Sequence, residues 1–573
     1  MHKILLKIHK YLYSQKKIKY LLFLFLGLVA VIFESFGYIS IVPLITVLIN
    51  PDYLHQSIIL KYINSIVQST SDHDFIMKYG VFCIFVFIFG SIFSFIQVSL
   101  QVRFVNSIIL NTRQKLLRNY LSKNLNFHKN NNTTDLVSKL FTQIDEMGQT
   151  VIFGFFDFIN STFLVIIFLA LLSIADWKLT VSALIFLSFF YFLIELNLKK
   201  RIKKIAITLY ESNLKALTFA TEAIKLFKEI SLEKQKEFFL GRFYNEISKI
   251  YQARNFVRIV PRFSRFLIET VGIGSIIVFI LIVYSREKNV DQFLETIILF
   301  SLSVYKIFPN LNKCFQINVN LKSGSKQLLN ILSDIESVNL KKVLKVENNF
   351  FNQSIELENV SFFYGSKQII KKINISIKKN STVLIYGKSG SGKSTICDII
   401  SGHLEVKEGK VLLDKNPIDL SEYQNIQKYY GYIGQEPLML NEDFYKNISL
   451  QEDCNKKRVE DVAKIARVDE FINNKQNKYN EIISENGKNL SGGQKQRISI
   501  ARALYLNPEI LIIDEGTSNI DSTTEKEIYE LIYKNFTSKT KIIITHHLNE
   551  FIKYDYCYKI TQGEVSYHGE TAI

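Results

Sequence analysis

Six long, nearly uncharged apolar runs occupy the first 311 residues, at about 20–49, 76–100, 151–174, 179–196, 266–284 and 292–311. A helix that crosses the hydrocarbon core of a bilayer needs about 20 predominantly apolar residues. The runs reach or approach that length, although the fourth is short, so they predict an α-helical transmembrane domain with six helices. After about Asn349 the apolar runs are short and are broken by Gly, Asp and Lys, which indicates a second domain of another kind.

The length of 573 residues also requires more than one domain, because single hydrophobic cores stop growing at about 250–300 residues. We predict a transmembrane domain with two long cytoplasmic loops at residues 1–325. A linker at 326–352 then leads to a compact domain at 353–573.

The formal net charge of +17 raises the question of a nucleic-acid partner. The Lys and Arg residues, however, lie beside the apolar runs, as at 16–19 and 199–204. This placement is typical of the cytoplasmic side of a membrane protein, where basic residues meet anionic headgroups. We therefore expect membrane lipid and no nucleic acid as a partner. The N-terminus and the long connections at about 101–150 and 197–265 are expected in the cytosol.

Ionisable side chains inside the apolar runs are costly in hydrocarbon and mark candidate functional sites. One interpretation is that they pair across helices or lie near the ends of the spans. The other is that they contact a substrate, and Glu34 lies deepest in its run. The residues concerned are Glu34, Asp157, Glu195, Glu269, Glu295 and Lys306.

Arg254, Arg258, Arg262 and Arg265 follow one another at spacings of four, four and three, which keeps them on one face of a helix. A helix that starts near Ile230 carries the later arginines from the cytosol into the inner leaflet. They form either a collar on lipid phosphates or a cavity wall that binds an anionic substrate. The candidate substrate residues are therefore Glu34, Arg258, Arg262, Arg265 and Lys306.

The segment from Asn50 to Asp74, between the first two runs, has apolar residues at helical spacing with polar residues between them. This pattern predicts a short amphipathic helix on the outer side of the membrane.

A glycine-rich phosphate loop follows the apolar strand 382–386 and precedes a predicted helix. Its sequence, Gly387-Lys388-Ser389-Gly390-Ser391-Gly392-Lys393-Ser394-Thr395, matches G-x-x-x-x-G-K-[ST]. In such a loop the backbone N–H groups surround phosphates, the lysine reaches the β- and γ-phosphates and the hydroxyl binds Mg²⁺. The predicted nucleotide contacts are Gly387, Ser389, Gly390, Gly392, Lys393, Ser394 and Thr395.

Two further segments complete this chemistry. The predicted strand Ile510–Glu515 ends in two carboxylates, of which Asp514 is placed to hold Mg²⁺ and Glu515 to polarise an attacking water. The sequence Leu490-Ser491-Gly492-Gly493-Gln494 opens a predicted helix and offers a second anion site at its N-terminus.

In this order, the segments resemble the ATP-binding-cassette (ABC) family, which implies an α/β P-loop nucleotide-binding domain, ATP hydrolysis and the use of Mg²⁺. By resemblance, Tyr364 stacks on adenine, Gln435 senses Mg²⁺ and the attacking water, and His546 contacts the γ-phosphate. Asp521 matches the loop that crosses between two motors. The resemblance implies catalytic roles for Glu515, His546 and Gln435, nucleotide contacts for Ser491, Gly492, Gly493 and Gln494, and a metal site at Ser394, Gln435 and Asp514.

Six spans before the nucleotide-binding domain, here called the motor, resemble the exporter branch of the family. Members of this branch enclose each ATP between the phosphate loop of one motor and the signature sequence of another, which corresponds here to Leu490–Gln494. One chain carries one of each, so we expect a homodimer. The loop tips near Asn132–Lys139 and Glu222–Ile230 are expected to rest on the motors.

The outer helix, the Glu34 region and the arginine series resemble PglK-type flippases of lipid-linked oligosaccharides. This resemblance implies that a polyprenyl-pyrophosphate-linked glycan is moved across the bacterial cytoplasmic (inner) membrane. Two alternatives remain open. One is an exporter of a peptide, a bacteriocin or an amphipathic drug-like molecule. The other is an ATPase module that gates or assembles a membrane complex without transport.

Overall fold

A computed structural model describes the chain except residues 1, 50–53, 55–57, 70, 176, 233–234, 287–293, 337–350, 419–426, 547 and 571–573. It divides into two compact units. The helical unit comprises Met1–Lys123 and Asn131–Val338, and the sheet unit comprises Asn124–Asn130 and Asn339–Ile573. The predicted boundaries at 325 and 353 stay predictions, because residues 337–350 lie outside the described part.

The helical unit consists of long helices joined by short ones. In chain order they are α1 (His2–Ile39), α2 (Ile41–Ile49), α3 (Ile58–Val67), α4 (Asp72–Leu121), α6 (Thr133–Ser138), α7 (Ile144–Glu146), α8 (Phe153–Ala175), α9 (Trp177–Lys225), α10 (Phe227–Leu232), α11 (Lys236–Arg286), α12 (Leu294–Ser323) and α13 (Ser325–Glu336), while α5 (Leu125–Asn130) belongs to the sheet unit. Two π-helical segments, Lys139–Gln143 and Met147–Ile152, flank α7.

Three helical stretches of the described residues are long and apolar enough to cross a membrane: Leu5–Leu48, Asp72–Leu121 and Thr133–Ile174. They contain the first three predicted spans apart from Ile49. The fourth and fifth predicted runs lie in α9 and α11, and the sixth lies in α12 apart from residues 292 and 293. Each described part of a predicted span is thus almost wholly helical.

A seam of large apolar side chains joins α1, α8 and α12. Val31, Phe168 and Ile307 are all at least 95% buried in it, and Leu164 and Phe300 are also buried there. Apolar contact alone gives helices in lipid little preference for one another, because the lipid is equally apolar, so close packing must hold them together. The seam therefore fixes the first, third and sixth spans against each other.

Part of the predicted outer amphipathic segment is the helix α3. Its Leu60 is buried against Val47, Phe75 and Tyr79 at the ends of α2 and α4, whereas Tyr62 is 69% exposed. The protein itself therefore covers part of the apolar face of α3. Residues 50–53, 55–57 and 70 of the segment lie outside the described residues.

The sheet unit contains two sheets. One has the order β2 (Lys367–Lys378), β1 (Ser354–Tyr364), β4 (Glu408–Leu413) and β5 (Asn416–Pro417), and the other has β10 (Glu564–Glu570), β9 (Tyr556–Thr561), β3 (Thr382–Gly387), β8 (Thr540–Thr545), β7 (Ile510–Asp514) and β6 (Tyr430–Ile433). The helices are α14 (Lys393–Ile400), α15 (Phe444–Ser449), α16 (Lys456–Ile465), α17 (Asp469–Ile472), α18 (Gly492–Tyr505) and α19 (Ser522–Asn535).

The second sheet places the predicted motifs at one edge. Strands β3, β8, β7 and β6 are neighbours and run parallel. Their carboxyl ends therefore meet at one edge of the sheet, where α/β proteins bind their ligands. The phosphate loop follows β3, Glu515 follows β7, His546 follows β8 and Gln435 follows β6 by two residues.

The segment Asn124–Asn130 follows the C-terminal end of α4 and groups with the sheet unit. The backbone N–H of Leu125 donates to the carbonyl oxygen of His403 at 3.3 Å, and the Leu125 side chain packs on the core beneath β1 and β3. The predicted contact segment, Asn132–Lys139, lies in the helical unit instead. That the loop tip near Asn132–Lys139 rests on a motor stays a prediction. Residues 124–130 carry only Leu125 and Phe127 as apolar residues and show no periodic pattern.

Candidate nucleotide-hydrolysis site

The backbone conformation of the phosphate loop requires glycine at two positions. A Cβ at Gly387 would collide with the carbonyl oxygen of Ile560 on β9, and Gly392 has a φ of 107°, which disfavours other residues. Gly392 caps α14, so the loop delivers backbone N–H groups to the start of that helix. Ser389, Gly390 and Ser394 are exposed on the loop side, whereas Thr395 is buried.

Lys393 is buried and folds back over the loop. Its Nζ donates to the carbonyl oxygens of Gly387 and Lys388 at 2.9 and 3.1 Å, and lies 3.6 Å from Oε1 of Glu515. A buried ammonium needs such partners, because an unpaired charge in a dry site is costly. The lysine is thus held within the loop that the sequence assigns to phosphate.

Asp514 is held by two hydroxyl groups. The Ser394 Oγ donates to its Oδ1 at 3.2 Å, and the Tyr432 hydroxyl donates to its Oδ2 at 3.1 Å. Burial raises the pKa of Asp514, and the two hydrogen bonds act in the opposite direction. Burial and the nearby carboxylate raise the pKa of Tyr432, so its hydroxyl keeps its proton and donates.

Glu515 lies among three of the predicted site residues. Its Oε2 accepts from Nε2 of Gln435 at 3.2 Å, while its Oε1 lies 3.4 Å from Nδ1 of His546 and also faces Lys393. The backbone of Glu515 has a φ of 50°, a region that non-glycine residues rarely adopt and that recurs at functional sites. The predicted catalytic residues Glu515, His546 and Gln435 are therefore brought together.

Gln496 is a member of this region that the sequence did not single out. It is fully buried, and its Nε2 donates to the Gln435 carbonyl oxygen at 3.4 Å and to Ser518 Oγ at 3.2 Å. Its Oε1 accepts from the N–H of Asn519 at 2.8 Å. One side chain therefore joins the Gln435 segment to the loop after Glu515. A glutamine after a glycine-rich helix start gives no sequence signal for this role.

The signature residues form a helix cap. Ser491 Oγ accepts from the N–H of Gln494, whose Oε1 accepts from the N–H of Ser491, so both make the reciprocal capping box of α18. A Cβ at Gly493 would come within 2.9 Å of the Asn519 carbonyl oxygen, and Gly492 lies beside the same residue. Among the described residues, no hydrogen bond joins this cap to the phosphate loop of the same chain.

Asp521 caps the next helix, α19. Its carboxylate accepts from Thr523 Oγ1 at 2.7 Å and from the N–H of Thr524 at 2.9 Å. These hydrogen bonds, the Thr523 bond first, hold the pKa of Asp521 well below its usual range. Asp521 has a capping role within the chain, and the crossing role implied by resemblance stays a prediction.

Tyr364 ends β1 and is contacted by the docked segment 124–130. Lys129 Nζ donates to the Tyr364 hydroxyl at 3.0 Å and to Asp398 Oδ2 at 3.1 Å, and lies 5.3 Å from the centre of the Tyr364 ring. Tyr364, which is predicted to stack on adenine, therefore contacts residues 124–130. In the sequence, this segment lies between two stretches that belong to the helical unit.

The donor set at the carboxyl ends of β3, β6 and β7 fits Mg²⁺. The hydroxyl of Ser394 hydrogen-bonds directly to the carboxylate of Asp514, and Gln435 is turned toward the adjacent Glu515. All three side chains offer oxygen, which is the ligand that Mg²⁺ prefers, and a phosphate-binding loop adjoins them. The assignment of the metal residues Ser394, Gln435 and Asp514 stays a prediction.

The predicted substrate residues fall into separate places in the helical unit. Glu34 Oε1 and Lys306 Nζ form an ion pair at 2.8 Å, and Lys306 lies 3.6 Å from the centre of the Tyr38 ring. Glu34 and Tyr38 line a cavity of about 290 Å³ with Ser91 and Ser94. Asp157 pairs with Lys313 at 3.2 Å.

The arginine series lies on α11 as predicted. Arg265 Nε donates to Glu269 Oε1 at 2.6 Å, whereas Arg258 and Arg262 are exposed and make no hydrogen bond or ion pair to another described residue. The side chains of Glu195 and Glu295 lie outside the described part.

Comparisons with known proteins match both units. The model described as the ABC transporter transmembrane region matches residues 44–305, and the ABC transporter model matches residues 370–518. An ATP-dependent lipid A-core flippase of Pseudoalteromonas translucida is 26% identical over 511 residues, which cover 86% of this chain and 86% of the relative. The heterocyst differentiation ATP-binding protein HepA of a Nostoc species is 27% identical over 451 residues, or 78% of this chain and 73% of that protein.

Among solved structures, a bacterial Atm1-family ABC exporter with ATP bound is similar with a TM-score of 0.77. The similarity covers 97% of this chain and 94% of that chain, at 19% sequence identity. At this identity the likeness establishes the fold alone.

Proposed function

We propose that this chain, which belongs to the exporter-type ABC transporters, works as a homodimer that flips a lipid-linked oligosaccharide across the bacterial cytoplasmic membrane. The family membership confirms the predicted fold class, a helical membrane domain joined to an α/β nucleotide-binding domain. It also makes the chain an ATPase coupled to transport. The homodimer, the oligosaccharide and the kind of membrane are the steps that we propose beyond this.

The cluster around Glu515 is the observation that carries ATP-driven transport. The N–H groups of the phosphate loop bind the phosphates, and Lys393 exchanges the carbonyl oxygens of Gly387 and Lys388 for phosphate oxygens. Glu515 polarises the attacking water and takes its proton. Gln435 and His546 orient the Glu515 carboxylate for this step.

Mg²⁺, when bound beside Ser394 and Asp514, neutralises charge on the β- and γ-phosphates. The chain's own contribution is to present the oxygen atoms of these side chains at the carboxyl ends of neighbouring strands.

Two features support a second copy as partner. Each chain has one phosphate loop and one signature cap, and no hydrogen bond connects the two within the described residues. The tip of the α9–α11 connection also exposes large apolar side chains, with Ile224, Phe227 and Leu232 at 77%, 68% and 79% exposure. Apolar side chains clustered at a cytoplasmic tip are typical of a docking surface. We propose that this tip rests on the motor of the second copy.

The exposed guanidinium groups of Arg258 and Arg262 support an anionic substrate. They lie on α11 close to its predicted apolar run, and described residues do not neutralise them. Guanidinium groups bind phosphate through two parallel hydrogen bonds, which suits a pyrophosphate-linked glycan. The relative named as a lipid A-core flippase supports the same class of amphipathic sugar-bearing lipid.

The proposal is tested by the ATPase rate of the full-length protein in proteoliposomes. We expect a polyprenyl-pyrophosphate-linked oligosaccharide to stimulate the rate several-fold, and a peptide to leave it unchanged. Stimulation by the peptide alone would support peptide export instead, and stimulation by neither would contradict coupled transport. The variant Arg258→Gln/Arg262→Gln/Arg265→Gln should lose the stimulation. Arg242→Gln, on the same helix but stacked on Phe238, is the matched control and should keep it.

A further inference from the structure

Tyr432 lies one strand away from the carboxylates of the hydrolysis site. Strands β6 and β7 are parallel, with Tyr432 opposite Ile512. Side chains two residues apart on a strand share a face, so Tyr432 and Asp514 project from the same side of the sheet. The length of the phenol spans the offset, and its hydroxyl reaches Asp514 Oδ2 at 3.1 Å.

The Tyr432 hydroxyl occupies one side of the Asp514 carboxylate and leaves the other to Ser394. Asp514 is only 6% exposed, and its Oδ1 accepts from Ser394 at 3.2 Å. A buried carboxylate with one oxygen fixed in this way cannot rotate freely about its last bond without losing a hydrogen bond. The oxygen beside Ser394 is therefore kept toward the phosphate loop.

The absence of a side chain at Gly434 leaves room for the Tyr432 ring. A Cβ at position 434 would lie 3.0 Å from Cε1 of Tyr432, so a side chain there would press on the ring. Gln435 follows directly, and its side chain reaches Glu515. The ring thus lies against the turn that carries Gln435 while its hydroxyl holds Asp514.

We infer that Tyr432 is a positioning residue for the metal site: its hydroxyl fixes the Asp514 carboxylate in the orientation in which Asp514 and Ser394 hold Mg²⁺ beside bound ATP. The inference rests on the proposed hydrolysis site and adds a residue that is not among the predicted site residues. Tyr432 acts through Asp514 and does not itself contact the nucleotide.

Metal binding of the full-length protein tests this role directly. In the presence of ATP, free Mn²⁺ is measured by electron paramagnetic resonance during a titration. Removing a hydroxyl that bonds to a carboxylate should weaken Mn²⁺ binding by about 3- to 10-fold in Tyr432→Phe. The affinity for a fluorescent ATP analogue in EDTA should stay within about twofold, since the phosphate loop is intact.

Tyr430→Phe is the matched control on the same strand. The Tyr430 hydroxyl donates to the carbonyl oxygen of Ile400 at 3.0 Å instead of to a site carboxylate. Its loss should leave Mn²⁺ affinity unchanged. Equal weakening in both variants, unchanged Mn²⁺ affinity in Tyr432→Phe, or an equal loss of metal-free nucleotide binding would each overturn the inference. Loss of Mn²⁺ binding in the native protein would instead contradict the hydrolysis site itself.

Discussion

The two units differ in how their charged side chains are arranged. In the sheet unit, the side chains of Lys393, Gln435 and His546 converge on the carboxylate of Glu515 at the edge of a parallel sheet. In the helical unit, the described ion pairs are dispersed, and the pair Glu34 and Lys306 joins residues that are 272 positions apart in the chain. The cluster on Glu515 therefore points to one reaction, ATP hydrolysis. The dispersed ion pairs of the helical unit do not identify the transported substrate.

The first test of this comparison removes the carboxylate of Glu515, on which the sheet-unit cluster converges. Glu515→Gln should lower steady-state ATP turnover by about 10²- to 10⁴-fold, because a general base is lost. Binding of a fluorescent ATP analogue should persist, since the phosphate loop is unchanged. Turnover is measured by phosphate release.

Glu509→Gln provides the control for this variant. Glu509 lies just before the opposite end of β7 and pairs with Lys539 at 2.7 Å. Its turnover should stay close to that of the native chain. Near-normal turnover in Glu515→Gln would contradict the role given to the cluster.

The second test concerns the dispersed pairs. Glu34→Gln should destabilise the helical unit by about 1–3 kcal/mol, because Lys306 is left charged and largely buried. Glu34→Gln/Lys306→Met should recover most of that loss, and thermal unfolding in detergent measures both. The exposed pair Arg265 and Glu269 is the comparison, since Glu269→Gln should cost at most about 1 kcal/mol.

If the pair also contacts substrate, the stable double variant should still lose stimulation of ATPase by the lipid-linked oligosaccharide. Full stimulation of the ATPase rate in a stable double variant would show that Glu34 and Lys306 have only a structural role. Equal instability of the single and double variants would contradict the pairing itself.

The smallest expected effect concerns Lys129 in the segment Asn124–Asn130. Lys129→Met removes the hydrogen bonds to Tyr364 and Asp398 and should weaken ATP affinity by about 2- to 5-fold. Lys129→Arg keeps the charge and should restore most of the affinity. In a double-mutant cycle, Asp398→Asn should have little further effect once Lys129 is replaced. Additive effects would show that the contact is not used.

The hydrolysis site could be predicted from the sequence because its chemistry demands fixed residue types at strand ends. Lys393, Asp514 and Glu515 were recognised for that reason, and the parallel order of β3, β8 and β7 brings them together. Tyr432 and Gln496 were missed, because a tyrosine in a strand and a glutamine in a helix are ordinary residues until a register places them. Their partners lie on other strands and loops.

The helical unit was predictable only as a set of spans. Apolar length predicted where helices lie, but the partner of Glu34 depends on how α1 packs on α12, which local pattern does not encode. The packing of Leu125 on the core of the sheet unit was unpredictable for a similar reason, since the residues around it show no periodic pattern.

ATP-dependent flipping by the reconstituted full-length protein tests the central claim most directly. Proteoliposomes carry a fluorescent polyprenyl-pyrophosphate-linked oligosaccharide, and a membrane-impermeant quencher reports the fraction on each leaflet. We expect the native chain to change that fraction in the presence of ATP and Mg²⁺, and Glu515→Gln to leave it unchanged over the same time. Redistribution at the same rate in both proteins, or no redistribution by a native chain that hydrolyses ATP, would contradict the account.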